Sequence, residues 1–216
     1  MIDDYQSLTI DLLRHGEVDA PPAYFGSTNV PLSRKGEMQM RYNICQDKWP
    51  DMVPPWEVII TSPLQRCHSF AEKMAKKFGI QLAIENDLKE IHFGDWEGLS
   101  AQQISHADPT GFQQFCDTPL DYTPPNGEDF NDFKHRTEQA WSKLTQQYLN
   151  KKRILIVSHS GVIRTLLCKV LGSPPASIFT LNCPYACYSQ VQHLSTQNKQ
   201  NNILITHNSH LDISTL

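Results

Sequence analysis

Two short runs of apolar residues constrain the fold of this chain more than any other feature. Residues 7–13 alternate and then become continuously apolar, and residues 153–157 form the most β-like run in the chain. Runs of this kind are typical of strands buried on both faces, as in a parallel sheet that helices cover on each side. Each run leads into a turn that contains histidine and glycine, Arg14-His15-Gly16-Glu17 and His159-Ser160-Gly161.

The remaining pattern predicts an α/β fold, because strand-like and helix-like segments alternate along the chain. We predict a three-layer α/β/α sandwich with a mostly parallel mixed sheet. One domain would span residues 1–216, with a helical insertion over the active site at about 93–150. The further strands are expected at 58–60, 80–84, 185–193 and 203–205, and the main helices at 34–47, 63–78, 128–149 and 160–171.

Local signals predict where several helices begin and end. Ser33 and Ser62 are predicted N-caps, the second with Pro63 at the first helical position. Gly79 and Gly172 are predicted to end their helices, since glycine readily adopts the left-handed conformation there. Short helices are expected after Ser100 and Pro109, and a polar turn at 195–202.

The charge and composition exclude several classes of partner. The 216 residues carry a net charge of −4 and a pI near 6.1, so neither nucleic acid nor an anionic membrane is expected to bind. No apolar run approaches the roughly 20 residues of a membrane span. The acidic start at residues 1–5 does not resemble a signal peptide. We therefore expect a cytoplasmic protein, and the sequence leaves both a monomer and a homodimer open.

The cysteines and histidines lack the spacing of metal ligands. The six cysteines form no Cys-x-x-Cys pair, and no His-Glu-x-x-His motif occurs among the nine histidines. Such motifs are typical of zinc sites, so we expect no metal and no other cofactor. The cysteines also do not resemble a disulfide framework in a chain of this size. Buried free thiols in a reducing compartment are the expected state.

Three turns are expected at one edge of the sheet, because the carboxyl ends of parallel strands lie together. We expect this edge to contain Arg14, His15, His159 and the turn at Thr61-Ser62. An arginine fork binds two oxygens of a phosphate dianion, and a neutral imidazole can attack its phosphorus. A lone histidine of this kind is as often a core residue as a site residue. The prediction therefore depends on the convergence of the turns.

Arg66, Glu90 and the turn at Ser160-Gly161 complete the candidate site. Arg66 falls in a first helical turn, where the helix dipole disfavours a cation, and a bound polyanion would remove this conflict. Glu90 is a candidate proton donor for a leaving oxygen. The amides of Ser160 and Gly161 begin a helix and are expected to bind anionic oxygens. Taken singly, Arg66 would form a surface ion pair and Glu90 would be an ordinary loop carboxylate.

Four segments in this order resemble the motifs of the histidine phosphatase superfamily, also called phosphoglycerate-mutase-like. The resemblance covers nearly the whole chain and implies that fold, a phosphohistidine intermediate and a small phosphorylated substrate. The segments are Arg14-His15-Gly16-Glu17, Thr61-Ser62-Pro63-Leu64-x-Arg66, Leu88-Lys89-Glu90-Ile91-x-Phe93-Gly94-x-Trp96-Glu97-Gly98 and Ser158-His159-x-Gly161.

The resemblance also implies a role for individual residues. His15 would be the nucleophile, Glu90 the proton donor and acceptor, and His159 a further catalytic residue that also binds the phosphate. The other phosphate-binding residues would be Arg14, Arg66 and Ser160, and the supporting residues Gly16, Glu17, Ser62, Glu128 and Gly161.

Within the superfamily the chain most resembles the α-ribazole phosphatases of cobalamin biosynthesis. The likeness lies in Pro125-Asn126-Gly127-Glu128-x-Phe130, in residues 175–179, and in Cys187-Tyr188-Ser189 and Asn208-Ser209. It implies α-ribazole 5′-phosphate or adenosylcobalamin 5′-phosphate as the substrate. A broad-specificity phosphatase and a phosphoglycerate mutase stay open as alternatives. The chain lacks the mutases' Trp-Asn after the nucleophile motif and their Arg-His-Tyr-Gly acid loop.

One segment departs from the family pattern. Many members place an asparagine a few residues after the nucleophile motif, where it contacts the phosphate. Here that stretch is Val18-Asp19-Ala20-Pro21-Pro22, and Ser27 is the candidate replacement. A non-catalytic protein of the same fold is the least favoured alternative, because the residues of all four motifs are intact.

Overall fold

The computed structural model describes residues 5–45 and 53–209. Its strands and helices alternate over much of the chain. The strands are β1 (Gln6–Arg14), β2 (Val58–Thr61), β3 (Gln81–Ile84), β4 (Arg153–Ser158), β5 (Tyr188–Ser195) and β6 (Gln200–Ser209). The α-helices are α1 (Arg34–Cys45), α2 (Gln65–Phe78), α3 (Ala101–Ala107), α4 (Pro109–Asp117), α5 (Phe130–Gln147) and α6 (Ser160–Leu171).

The strands form one mixed sheet in the order β3-β2-β4-β1-β5-β6. The first four are parallel, and β5 and β6 run antiparallel to their neighbours. The register pairs Arg14 with Ser158 and Thr61 with Val157, so β1, β2 and β4 end side by side. The predicted convergence of the three turns at one edge of the sheet is confirmed.

Helices cover both faces of the sheet, which confirms the predicted α/β/α sandwich. Alternate residues of the central strands divide between two buried clusters. Ile154 and Ile156 belong to a cluster with α5 and α6, whereas Leu155 and Val157 belong to a cluster with α1 and α2. Because successive side chains of a strand point to opposite faces, the two clusters are the two cores of a three-layer structure.

The helix ends follow the predictions except at α2. Ser33 Oγ accepts from the amide of Gly36 at 2.9 Å and caps α1, as predicted. Both predicted glycine ends are left-handed, with φ of 66° at Gly79 and 62° at Gly172. Ser62 is not an N-cap, because α2 begins later, at Gln65. The amide of Gln65 donates instead to Asn29 Oδ1 at 2.7 Å, a cap from a distant loop.

Two other predicted boundaries differ from the structure, and a third cannot be compared with it. Residues 200–202 are part of β6 rather than of a polar turn, because antiparallel pairing with β5 extends to Gln200. Residues 185–187 precede β5 and form a turn that contacts β1. The predicted end of the first helix, Asp47, lies outside the described residues.

The helices in the region 93–150 differ in what they pack against: α3 and α4 lie beside an aromatic cluster, whereas α5 packs on the sheet. Aromatic side chains near α3 and α4 cluster around Trp96, with ring centroids 5.3 Å from Phe115 and 5.6 Å from Tyr122. Helix α5 packs on the sheet through Phe133, Trp141 and neighbouring residues. Helix α5 thus belongs to one of the two layers that cover the sheet, although it falls within the predicted insertion. The single domain over residues 1–216 and the bounds of the insertion at about 93–150 stay predictions.

The described cysteines outside α1 are free thiols. Cys67, Cys168, Cys183 and Cys187 are free and buried, as expected, and Cys116 is free and exposed. Among residues 5–45 and 53–209, no helix is long and apolar enough to span a bilayer.

Candidate active site

A cavity of about 180 Å³ lies at the sheet edge where β1 ends. The sequence-predicted residues Arg14, His15, Arg66 and Glu90 all line it. The side chains of His15, Arg66 and Glu90 are buried there, and that of Arg14 is half-buried. The structure therefore brings together residues from three widely separated segments of the sequence. Aromatic side chains, including Phe93 and Tyr185, complete the wall.

His15 is held as a neutral imidazole with a defined orientation. The amide of His15 donates to the carbonyl of Ser158 at 3.0 Å, and the carbonyl of His15 accepts from the amide of Ala186 at 3.0 Å. Its Nδ1 lies 2.8 Å from the carbonyl oxygen of Gly16. A carbonyl only accepts, so Nδ1 carries the proton and Nε2 carries the lone pair. Burial, with Arg14 and Arg66 nearby, holds the pKa of His15 well below its usual range.

His159 lies beside His15, with 5.2 Å between ring centroids, but is fully buried. Arg66 Nε donates to its Nδ1 at 3.2 Å, so the ring proton is on Nε2, which donates to Ser62 Oγ at 2.8 Å. Both ring nitrogens thus bond within the protein. Burial and the charge of Arg66 hold the pKa of His159 well below its usual range. Ser62, predicted as a helix cap, positions this ring instead.

The two guanidiniums bind carbonyl oxygens rather than carboxylates. Arg14 Nη1 donates to the carbonyl of Cys183 at 2.7 Å, and its Cζ lies 4.4 Å from the ring centroid of Tyr185. Arg66 donates to the carbonyls of residues 25, 26 and 28. Within the described residues neither arginine forms an ion pair, so their positive charge is left for an anionic ligand.

Glu97 builds the loop that holds Arg66, and sequence analysis gave it no role. Its carboxylate accepts from the amides of residues 26–28 and Phe93 and from the hydroxyl of Thr28. Burial opposes ionisation, but the bonds from Thr28, Phe93 and Ser27 lower the pKa of Glu97 below its usual value. The position of Glu97 in the acid-loop motif, between Trp96 and Gly98, is the sequence feature that could have indicated this role.

Glu90 is positioned by the start of α6. Its Oε2 accepts from the amide of Gly161 at 2.9 Å. A Cβ at Gly161 would lie 2.4 Å from Glu90 Oε1, so only glycine leaves room for this carboxylate. The predicted anion-binding amide of Gly161 is therefore occupied by Glu90. Ser160 lines a neighbouring cavity rather than the one that contains Arg14 and His15.

Glu128 supports the backbone around Glu90 through Arg136. Arg136 donates to both carboxylate oxygens of Glu128, at 2.6 and 2.9 Å. The same guanidinium donates to the carbonyls of Asp87, Lys89 and Glu90. Arg136 was missed in the sequence because it lies in the middle of α5, far from any motif.

Glu17 and Ser27 do not face the cavity that contains His15. The carboxylate of Glu17 pairs with Lys35 at 2.7 Å on the surface. The Ser27 hydroxyl and amide bond to Glu97, so Ser27 does not replace the missing asparagine in this structure. Gly16, by contrast, is required by packing, because a Cβ there would lie 2.1 Å from the carbonyl oxygen of Gly36.

The lowered pKa values of the two histidines predict a pH-dependent stability. Below about pH 6.5 the unfolded chain protonates His15 and His159, whereas the native state keeps them neutral. The unfolded state then binds more protons, so the free energy of unfolding falls as pH drops from 7 to 5. His15→Gln should reduce this slope by about 1.4 kcal/mol per pH unit. Urea denaturation across this pH range measures it.

The exposed His106 provides the control for this experiment. His106→Gln should leave the slope of the wild type unchanged, because the His106 side chain is exposed in the folded protein and not buried like His15. Equal slopes for the wild type and His15→Gln would contradict the neutral state of the buried ring.

Comparisons with known proteins identify the family. The family model described as histidine phosphatase superfamily (branch 1) matches residues 10–206. A Salmonella typhimurium protein named adenosylcobalamin/alpha-ribazole phosphatase is 29% identical over 184 residues, 83% of this chain and 88% of its own. The crystal structure of the alpha-ribazole phosphatase from Shigella flexneri is 27% identical. It has a TM-score of 0.80 and covers 93% of this chain and 96% of its own. The chain belongs to the histidine phosphatase superfamily.

Proposed function

We propose that the chain hydrolyses phosphate monoesters through a phosphohistidine intermediate on His15. Family membership and phosphatase-named relatives support a phosphatase. The observation that carries the mechanism is the neutral imidazole of His15, whose Nδ1 proton is bonded to the carbonyl of Gly16. His15 lines a cavity that it shares with two guanidiniums, neither of which forms an ion pair within the described residues. A neutral nucleophile beside unpaired cations suits a phosphate dianion.

The first step transfers the phosphoryl group to the enzyme. Nε2 of His15 attacks phosphorus, and the bond from phosphorus to the leaving oxygen breaks. Glu90 in its protonated form gives its proton to that oxygen. Arg14 and Arg66 bind the non-bridging oxygens and offset their charge, the main catalytic contribution in phosphoryl transfer. The Nδ1 proton stays on the ring, and its bond to Gly16 stabilises the phosphorylated imidazolium.

The second step releases phosphate. The carboxylate of Glu90 takes a proton from water, whose oxygen attacks phosphorus as the bond to Nε2 breaks. The electron pair returns to Nε2, so His15 is again neutral and Glu90 is again protonated. His159 holds Arg66 through its Nδ1, and its Nε2–H donates a hydrogen bond to a bound phosphate oxygen in place of Ser62 Oγ.

For the substrate we propose α-ribazole 5′-phosphate or adenosylcobalamin 5′-phosphate, in cobalamin biosynthesis. The relatives from Salmonella typhimurium and Escherichia coli, at 29% and 26% identity, carry the name adenosylcobalamin/alpha-ribazole phosphatase. A Bacillus subtilis relative at 30% identity, named uncharacterized phosphatase PhoE, keeps a broader phosphatase as the competing function.

The nucleophile is tested by trapping the phosphorylated enzyme. His15→Ala should lower kcat/KM by about 10⁴-fold or more and abolish labelling from radiolabelled substrate, because no other group replaces the attacking nitrogen. Labelling is measured after rapid quenching in alkali, which preserves phosphohistidine. His106→Ala on the exposed face of α3 should label like the wild type. Normal labelling of His15→Ala would exclude His15 as the nucleophile.

The role of Glu90 is tested by the dependence of rate on the leaving group. Glu90→Gln should lower turnover by about 10²- to 10⁴-fold for alkyl phosphates, whose leaving oxygens need a proton. The loss should be much smaller for a nitrophenyl phosphate, whose leaving group departs as an anion. Single-turnover rates over a series of leaving groups measure the difference. An equal loss for all of them would assign the proton donor to another residue.

The substrate is tested by direct competition among phosphate esters. We expect kcat/KM for α-ribazole 5′-phosphate to exceed those for sugar phosphates, 3-phosphoglycerate and nitrophenyl phosphate by at least about tenfold, a 1.4 kcal/mol preference. Similar values throughout would favour the broad-specificity phosphatase. Turnover of phosphoglycerate in the presence of 2,3-bisphosphoglycerate would favour a mutase.

A further inference from the structure

A second cavity adjoins the one that contains His15. It has a volume of about 240 Å³ and shares Glu90 and Phe93 with its neighbour. Helices α4, α5 and α6 and the turn at 175–179 all contribute to its wall. Glu90 therefore lies at the border between the two spaces. A group attached to the oxygen that Glu90 protonates has this second cavity within reach.

The wall of the second cavity is largely aromatic. Besides Phe93, it contains Phe115, Phe130, Phe133 and Phe179. Phenylalanine faces and edges favour flat rings, which can stack or meet them edge to face. The shape and chemistry of this wall suit a planar apolar group.

Arg164 is the cationic residue in this wall, and no described carboxylate forms an ion pair with it. It lies on α6, one turn after Gly161, and is half-buried. Its Nε is buried with no hydrogen-bond partner among the described residues, and it forms no ion pair with any of them. A buried donor without a partner is costly, so such groups are usually satisfied by a ligand or by water.

We propose that this cavity receives the leaving group and that Arg164 selects an aromatic heterocycle with a hydrogen-bond acceptor in the ring plane. This inference rests on the proposed function, since it takes Glu90 as the proton donor. The planar guanidinium donates to the in-plane lone pair while the phenylalanines contact the ring faces and edges. Arg164 would thus be a specificity-determining residue of the phosphatase.

A neutral acceptor fits the cavity better than a second anion. After it has given its proton to the leaving oxygen, the Glu90 carboxylate at this cavity would repel a carboxylate or phosphate on the leaving group. The phenylalanine wall would also desolvate such an anion, which is far more costly than desolvating a ring nitrogen. The charge repulsion and the cost of desolvation both favour a neutral, nucleoside-like leaving group.

Two matched nucleotides test the proposal. The 5′-phosphates of benzimidazole riboside and indole riboside share the same leaving oxygen and ring shape, and they differ in one ring position, N or C–H. The wild type should prefer the benzimidazole nucleotide by about tenfold or more in kcat/KM, as one charge-assisted hydrogen bond predicts. Arg164→Met should abolish this preference, so that the two nucleotides are hydrolysed with similar kcat/KM.

Lys169→Met on the same helix is the matched control, because Lys169 pairs with Glu138 at 3.4 Å and does not line this cavity. It should keep the preference of the wild type. An unchanged preference in Arg164→Met would overturn the proposal. An equal loss for both nucleotides would also overturn it, since Arg164 would then have a structural role.

Binding without turnover separates this inference from the proposed function. Calorimetric titration of His15→Ala should show tighter binding of the benzimidazole nucleotide, and His15→Ala combined with Arg164→Met should bind both alike. Equal binding by His15→Ala alone would overturn the role of Arg164 even if both nucleotides are hydrolysed. Tighter binding of the benzimidazole nucleotide, without hydrolysis of either nucleotide by the wild type, would support the role of Arg164 in this cavity and would reject the proposed phosphatase activity.

Discussion

The parallel pairing of β1 with β4 is the interaction on which the rest of the site depends. It matches Arg14 with Ser158 and continues one residue further, where the amide of His15 donates to the Ser158 carbonyl. Two histidines that are far apart in the sequence thereby lie with ring centroids 5.2 Å apart. A slip of one residue would turn either side chain to the other face of the sheet.

Around this pairing, the protein builds positive charge without neutralising it. Arg14 and Arg66 are oriented by backbone carbonyls, which fix a guanidinium but carry no net charge. Apart from Glu90, the nearby carboxylates lie further from the cavity, where Glu97 binds the amides of the loop around Arg66 and Glu128 pairs with Arg136. This arrangement orders the site while leaving its cations available to a dianion. Preorganised charge of this kind requires little rearrangement when the ligand binds.

Glu90 connects this charged space to the aromatic one beside it. The amide of Gly161 orients its carboxylate, and Arg136 holds its backbone carbonyl. Because Glu90 lies between the two cavities, the same residue can meet both the phosphate ester oxygen and the group attached to it. In the proposed function, the chemistry of the phosphate and the choice of leaving group therefore belong to different walls of two adjoining cavities.

The sequence by itself determined the strands, most helix ends and the residues of the four motifs. These depend on local properties: apolar periodicity, the left-handed preference of glycine at Gly79 and Gly172, and motifs read along the chain. Only the tertiary structure decided that Asn29 caps α2 and that Ser62 bonds to His159. It likewise placed Arg136 behind Glu90. Each of these contacts joins residues distant in sequence, and no local pattern specifies which polar groups will meet once the helices pack on the sheet.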